Sequence, residues 1–172
     1  YVTKVATGED MCLTKYNSAG IEQWRRTYDG PGHASDSAFG VVVDNSNNII
    51  ITGYSTGVGS QADFTTIKFN SEGSAEWIER YNAPINGDDR AFGIVVDRVG
   101  NIYVTGYIAL VGNDIYTIKY NANGIYIWGR VITGTGNGDD RAFGIVTDSL
   151  GNNIYICGYT DNDTTGFDFT VA

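Results

Sequence analysis

The stretch Asp97-Arg98-Val99-Gly100-Asn101-Ile102-Tyr103-Val104-Thr105-Gly106-Tyr107 decides the fold, because the chain writes it three times. An earlier copy is Asp44-Asn45-Ser46-Asn47-Asn48-Ile49-Ile50-Ile51-Thr52-Gly53-Tyr54, and a later one runs from Asp148 to Tyr159 with one residue inserted. Outward from this stretch the same beat continues. Trp24, Trp77 and Trp128 stand 53 and then 51 residues apart, as do Lys15, Lys68 and Lys119. A fixed period of that length means tandem copies of one supersecondary unit rather than one irregular domain.

Each unit reads as four β runs. Run A opens on Ala-Phe-Gly and ends on Asp: 38–44, 91–97 and 142–148. Run B follows a tight turn: 49–54, 102–107 and 154–159. Run C covers 10–17, 63–70 and 114–121, and run D, which carries the tryptophan, covers 21–28, 74–81 and 125–132. None has helical periodicity, so the expectation is an all-β chain. The turns carry their own chemistry. Asp-x-x-Gly-Asn between A and B offers an Asx hydrogen bond and a glycine for positive φ, and Asn47 takes the place of Gly100 in the earlier copy. Asn17, Asn70 and Asn121, each three residues before a glycine, mark the C–D turns.

Four antiparallel strands per unit, none able to bury both faces alone, describe the blade of a β-propeller. A solenoid or a two-sheet sandwich competes, but neither calls for a four-strand period with one tryptophan per unit. The small residues of run A suit the crowded innermost strand, and Trp24, Trp77 and Trp128 suit the outer rim, buried between neighbouring sheets. The expected organisation is a partial blade at 1–28, blades at 36–81 and 89–132, and a partial blade at 140–172. With Tyr1-Val2-Thr3 read as run B and 168–172 as run C, that makes fourteen strands, or about three and a half blades of an open propeller. The expected partners of its open edges are the rest of a longer chain or other copies in head-to-tail contact.

Bulk properties narrow the classes. A formal charge of -9 without any basic stripe argues against nucleic acid, and no apolar run reaches the roughly 20 residues of a membrane-spanning helix. No charged-then-apolar leader opens the chain, which reads as a mature or excised portion of a longer product. Two cysteines, Cys12 and Cys157, fall at different positions of the unit and read as small buried hydrophobes rather than a disulfide.

The run Thr117-Ile118-Lys119-Tyr120-Asn121-Ala122-Asn123-Gly124, followed by Trp128, Gly138-Asp139-Asp140-Arg141-Ala142-Phe143-Gly144-Ile145, Asp148, Gly151-Asn152 and Gly158-Tyr159, resembles the SBBP family of β-propeller repeats. The likeness recurs three times along the chain. It implies blades of the kind found in secreted and cell-surface bacterial proteins, hence an extracellular or cell-surface location. It implies no particular activity.

Candidate chemistry gathers at one end of the expected blades, where the B–C and D–A loops emerge. Asp36, Asp88, Asp89, Asp139 and Asp140 precede run A, and Asp63, Asp114 and Asp168 open run C. Such oxygens can hold Ca²⁺. The competing expectation is turn capping and Asp–Arg pairing with Arg90 and Arg141, favoured because the acids obey the repeat. A second Ca²⁺ candidate is the loop Asp161-Asn162-Asp163-Thr164-Thr165-Gly166-Phe167-Asp168, with Asp161, Asp163 and Asp168 as ligands. His33 is the single histidine, and no known nucleophile–base or zinc pattern is present, so no catalytic residue is assigned. The expectation is a non-enzymatic extracellular module without a cofactor other than the Ca²⁺ candidates above, acting as a structural or interaction scaffold, with an extended assembly such as a surface fibre as one form of it. The alternative is a propeller that binds or hydrolyses glycans through two loop carboxylates.

Overall fold

A computed structural model describes residues 8–148, 151–162 and 166–171, with the side chains of 167 and 169–171 outside the description. Thirteen strands follow one another: β1 (Met11–Tyr16), β2 (Glu22–Tyr28), β3 (Asp36–Val43), β4 (Ile49–Thr56), β5 (Ala62–Phe69), β6 (Ala75–Tyr81), β7 (Arg90–Val96), β8 (Ile102–Ala109), β9 (Asn113–Tyr120), β10 (Tyr126–Ile132), β11 (Arg141–Thr147), β12 (Ile154–Asn162) and β13 (Gly166–Val171). Among the described residues there is no helix. The strand expected at Tyr1-Val2-Thr3 lies outside the described residues.

The strands form four antiparallel meanders: β1-β2, β3-β4-β5-β6, β7-β8-β9-β10 and β11-β12-β13. Strands β3, β7 and β11 are the strands through which neighbouring sheets touch most, so run A is innermost. The sheets do not close into a ring; this is an open, partial β-propeller.

Strand alternation explains why the middle strands read as unbroken apolar runs. Successive side chains point to opposite faces, and each face of a middle strand meets a different neighbour. Ile50 joins the core between the second and third sheets with Phe64, Ile94, Val104 and Ile118, while Ile51 joins Met11, Ile67 and Phe69 between the first and second. Tyr103 turns the other way from Val104 and packs with Ile115, Ile145 and Ile156 against the fourth sheet.

Two local devices set the blade geometry. Every run A is bulged at its phenylalanine, the register shifting between Ala38 and Gly40, Ala91 and Gly93, and Ala142 and Gly144. In the A–B turns, Asp44 Oδ1 accepts from the amides of Ser46 and Asn48, and Asp97 Oδ1 from those of Val99 and Asn101. Burial alone would push the Asp97 carboxyl up, but the bonds from Asn101 and Tyr103 hold it below its ordinary value. Asn47 has φ 61° where Gly100 has φ 90°, so asparagine fills the glycine position.

The tryptophans are partly buried at the joints between sheets. They stand on outer strands, so one ring face meets the next sheet and the other edge meets solvent. Trp77 lies over Gly124 in the C–D turn of the third sheet, where an added β-carbon would come within 2.9 Å of the indole. Trp24 repeats the arrangement over Gly73. The cysteines are unpaired as expected, but the expected burial fails. Cys12 and Cys157 are both exposed and free. Cys157 shares a shallow groove with Val146 and Tyr155, on the face of the last sheet that no other described sheet covers.

Candidate functional site

The loop end is organised by one carboxylate per blade. Asp36 Oδ2 accepts from the amide of Gly30 at 2.6 Å, and its Oδ1 accepts from the amide of Thr56 at 3.0 Å. Asp89 takes the amides of Ala83 at 2.6 Å and Ala109 at 2.8 Å, and Asp140 takes those of Gly134 and Asp161, both at 2.6 Å. The backbone amide of each aspartate donates to the preceding sheet: to Glu9 O at 2.6 Å, Ala62 O at 2.7 Å and Asn113 O at 2.6 Å. A single residue thus closes the D–A loop, anchors the end of run B and ties two sheets together. All three are buried. Charge-assisted bonds to backbone amides are among the stronger hydrogen bonds in proteins.

The other acid of each pair serves a different contact. Both oxygens of Asp88 accept from Arg90 Nε at 3.0 Å, and Tyr107 donates its hydroxyl to Asp88 at 2.9 Å. The Arg90 guanidinium lies 4.3 Å above the Tyr54 ring of the preceding sheet. Arg141 bonds Asp139 at 2.8 Å and lies 4.5 Å above Tyr107, and Asn113 bonds Asp139 as well. Beside these groups the three bulged phenylalanines form a row, with Phe39 and Phe92 centroids 5.2 Å apart and Phe92 and Phe143 5.3 Å apart.

Charge is unevenly balanced here. Asp89 is pushed up to about 6, chiefly by burial, with further upward pressure from Asp63 and Asp88 against the pull of its two amide donors. Asp114 is raised too, by burial and by the charge of Asp140. Asp63 holds a cation, Arg80 Nη2 at 2.6 Å.

The proposed Ca²⁺ loop at Asp161, Asp163 and Asp168 takes another form. Pairing of β12 with β13 continues out to Asn162 and Gly166, so Asp161 and Asp168 lie within paired strands. Asp161 pairs with Phe167 and Thr160 with Asp168, which sends Asp161 and Asp168 to opposite faces. Asp163 lies outside the described residues. Extended strand pairing, which the acid spacing does not reveal, is the reason these carboxylates diverge. His33 is exposed and bonds Asp29 Oδ2 through Nδ1 at 2.7 Å.

The SBBP beta-propeller repeat matches residues 76–109 and 127–163. The resemblance read from the sequence therefore stands, and the chain is a β-propeller repeat module. No curated protein matches it. Each matched stretch runs from an outer strand through the D–A loop to the end of run B. Each consequently contains a complete aspartate clasp: Ala83, Asp89 and Ala109 in one, Gly134, Asp140 and Asp161 in the other. In both matched stretches the clasp aspartate, Asp89 or Asp140, is part of the blade itself.

Two features escaped the sequence reading. The phenylalanine bulge was announced by the glycine opposite it, since any side chain at Gly53, Gly106 or Gly158 would strike the carbonyl of Ser37, Arg90 or Arg141. The second is a departure from the repeat in the first D–A loop. Asp29 stands where Asn82 and Thr133 stand, Ser55 where Ile108 stands, and Thr27 where Arg80 stands.

Proposed function

We propose that this chain is a non-enzymatic extracellular scaffold that assembles head-to-tail, with further repeats of its own kind or with another copy, through the first-sheet side of β3 and the uncovered face of its last sheet. One observation carries the reading. Val41 is 61% exposed, whereas Ile94 and Ile145, at the same repeat position, are 9% and 8% exposed. Inside the chain Ile94 and Phe92 pack onto Gly40, and Ile145 and Phe143 pack onto Gly93. Phe39 and Val41 are the unmatched insertion half of that interface. Gly144, with Val146 and Tyr155 exposed around it, is the unmatched receiving half. The two faces are unlike, so a second copy would meet the first head-to-tail, and such contacts propagate into rings or filaments. Apolar faces of this kind are costly in water, and the acidic surface favours solubility of the assembled form.

The test is association in solution. The chain should form concentration-dependent oligomers by light scattering, and Val41→Asp and Tyr155→Asp should each break long assemblies while leaving the β circular-dichroism signal intact. Mixed, the two variants keep one good face each and should form a dimer that grows no further. A monodisperse monomer at the highest soluble concentration, or a two-fold dimer unaffected by either change, overturns the proposal.

A second reading, glycan binding, is favoured by the row Phe39, Phe92 and Phe143 beside Arg90 and Arg141. Two exposed rings, Phe39 and Phe143, with half-buried Phe92 between them and charged hydrogen-bonding groups alongside, suit stacking on sugar faces. Phe92→Ala would then abolish retention on immobilised glycans without changing the oligomeric state.

A further inference from the structure

We propose that the loop end between the first two sheets binds Ca²⁺, with Asp10, Asp29 and Asp36 as ligands. One carboxylate oxygen from each of these residues lies within 4.8 Å of the other two. The three come from separate parts of the chain: Asp10 just before β1, Asp29 in the D–A loop and Asp36 at the start of β3. Among the described residues no lysine or arginine pairs with any of them, and the basic side chain that does is His33, at the second oxygen of Asp29.

A group of acids alone would not make a site. The independent observation is a pair of orphaned polar atoms. Ser55 is fully buried, and its Oγ has no hydrogen-bond partner among the described residues. That hydroxyl fills the position a β-carbon on Gly30 would take, and Asp36 Oδ1 lies 2.8 Å from the same position. The hydroxyl therefore faces the Asp36 carboxylate across the glycine that follows Asp29. Asp29 Oδ1 is likewise buried and unpartnered. A buried oxygen without a donor is costly unless something on the missing side meets it. Asp36 spends one lone pair of each oxygen on an amide and keeps the other.

The neighbouring interface shows what this one lacks. There, Asp63 stands at the position of Asp10 and holds Arg80, Asn82 replaces Asp29, and Ile108 packs on Ala83 where Ser55 faces Gly30. The second interface is thus neutralised by a guanidinium and filled by methyl groups. The first replaces those groups with acids, a hydroxyl and a glycine. All-oxygen donors select a hard cation, and Ca²⁺ takes such ligands at about 2.3–2.6 Å in irregular geometry. Oxygens up to 4.8 Å apart suit that radius better than the tight octahedron of Mg²⁺. His33 would orient Asp29 from outside the ligand set.

The test compares thermal unfolding of the intact chain in EDTA and in millimolar CaCl₂, with MgCl₂ as control. Calcium should raise Tm by roughly 5 °C. In EDTA, Asp29→Asn should equal or exceed the unchanged protein, because a repelling charge is gone; in calcium the order should reverse. Asp10→Asn should behave alike, and Asp168→Asn should keep the full calcium response. Thr27→Arg, which supplies the guanidinium of the second interface, should fold and lose the response. Tb³⁺ luminescence excited through nearby Tyr28 should appear in the unchanged protein and be lost in Asp29→Asn. Absence of any calcium shift, or a shift that persists in both Asp10→Asn and Asp29→Asn, overturns the assignment.

Discussion

The interface between the first and second sheets and the one between the second and third are built on the same frame and finished differently. Both carry the aspartate clasp, and both lay a tryptophan over the glycine of the next C–D turn. In the second, Trp77 Nε1 donates to Ala122 O at 3.3 Å, and Lys68, almost buried, joins that same carbonyl at 3.2 Å while pairing with Asp44 at 3.1 Å. Phe64, Tyr81 and Tyr116 stack beside them, with Tyr81 and Tyr116 centroids 4.7 Å apart. In the first, Lys15 Nζ likewise donates to Ser71 O at 3.0 Å, but Trp24 Nε1 is buried without a partner and Arg26 reaches across to Gly73 O at 2.7 Å. Its acids converge where the second has Arg80. A repeat therefore fixes backbone clasps and ring positions, while side-chain identity sets how tightly each joint is held and what it can bind.

The sharpest way to break this contrast is to remove the rings. Trp77→Ala should cost about 3 kcal/mol, since it loses a large apolar contact and a hydrogen bond. Trp24→Ala should cost about 2 kcal/mol, because its indole nitrogen gives nothing up. Urea unfolding of both variants measures the difference. Equal costs would mean that the hydrogen bond and the buried lysine add nothing to the second joint.

The clasp gives a smaller effect with a distinctive pH signature. Asp140→Asn leaves one backbone amide facing an amide group and should cost about 2 kcal/mol at pH 7. Asp89→Asn should cost less, because the fold holds that charge against burial and against Asp63 and Asp88. The sign follows from the raised value. Between about 4 and 6 the native chain binds a proton that the unfolded chain has released, so stability falls as pH rises through that window and levels off above it. The acids of the A–B turns act oppositely: Asp44 and Asp97, held below their ordinary values despite burial, contribute stability that is lost as pH falls below about 4. Stability measured from pH 4 to 7 should show the downward slope in the unchanged protein and a much shallower one in Asp89→Asn. Parallel curves would show that Asp89 titrates at its ordinary value.

Most of the architecture was legible because it is carried by local chemistry. Asx turns at Asp44 and Asp97, the asparagine at Asn47 and the tryptophan period all act within a few residues or within one unit, so the sequence displays them directly. The runs predicted for the blades differ from the observed strands by at most three residues at their ends. What stayed hidden was the consequence of juxtaposition. Asp36 is separated from Gly30 and Thr56 in sequence and meets both only once three segments converge. Asp161 and Asp168 share a short loop in sequence and part company because strand pairing decides their faces. The convergence of Asp10, Asp29 and Asp36 was readable only as a break in the repeat, at Asp29, Ser55 and Thr27, and its meaning needed distances.

The smallest expected effect concerns the arginines that cross the joints at the loop end. Arg90 stacks on Tyr54 and pairs with Asp88, and Arg141 does the same with Tyr107 and Asp139. Their side chains are 35% and 30% exposed, so solvent screens the ion pairs and the stacking should dominate. Arg90→Ala is expected to cost about 1 kcal/mol, and Arg90→Lys most of that, because an ammonium cannot lie flat on the ring. A double-mutant cycle separates the two contacts. Coupling of Arg90→Ala with Tyr54→Leu should exceed its coupling with Asp88→Asn, and raising the salt should shrink only the latter. Ser37 occupies the corresponding place in the first joint, and Val5 the place of Tyr54 in the repeat. Ser37→Arg should accordingly gain no stability, for want of a ring to cover. A gain equal to the loss in Arg90→Ala would mean that charge rather than stacking holds these joints.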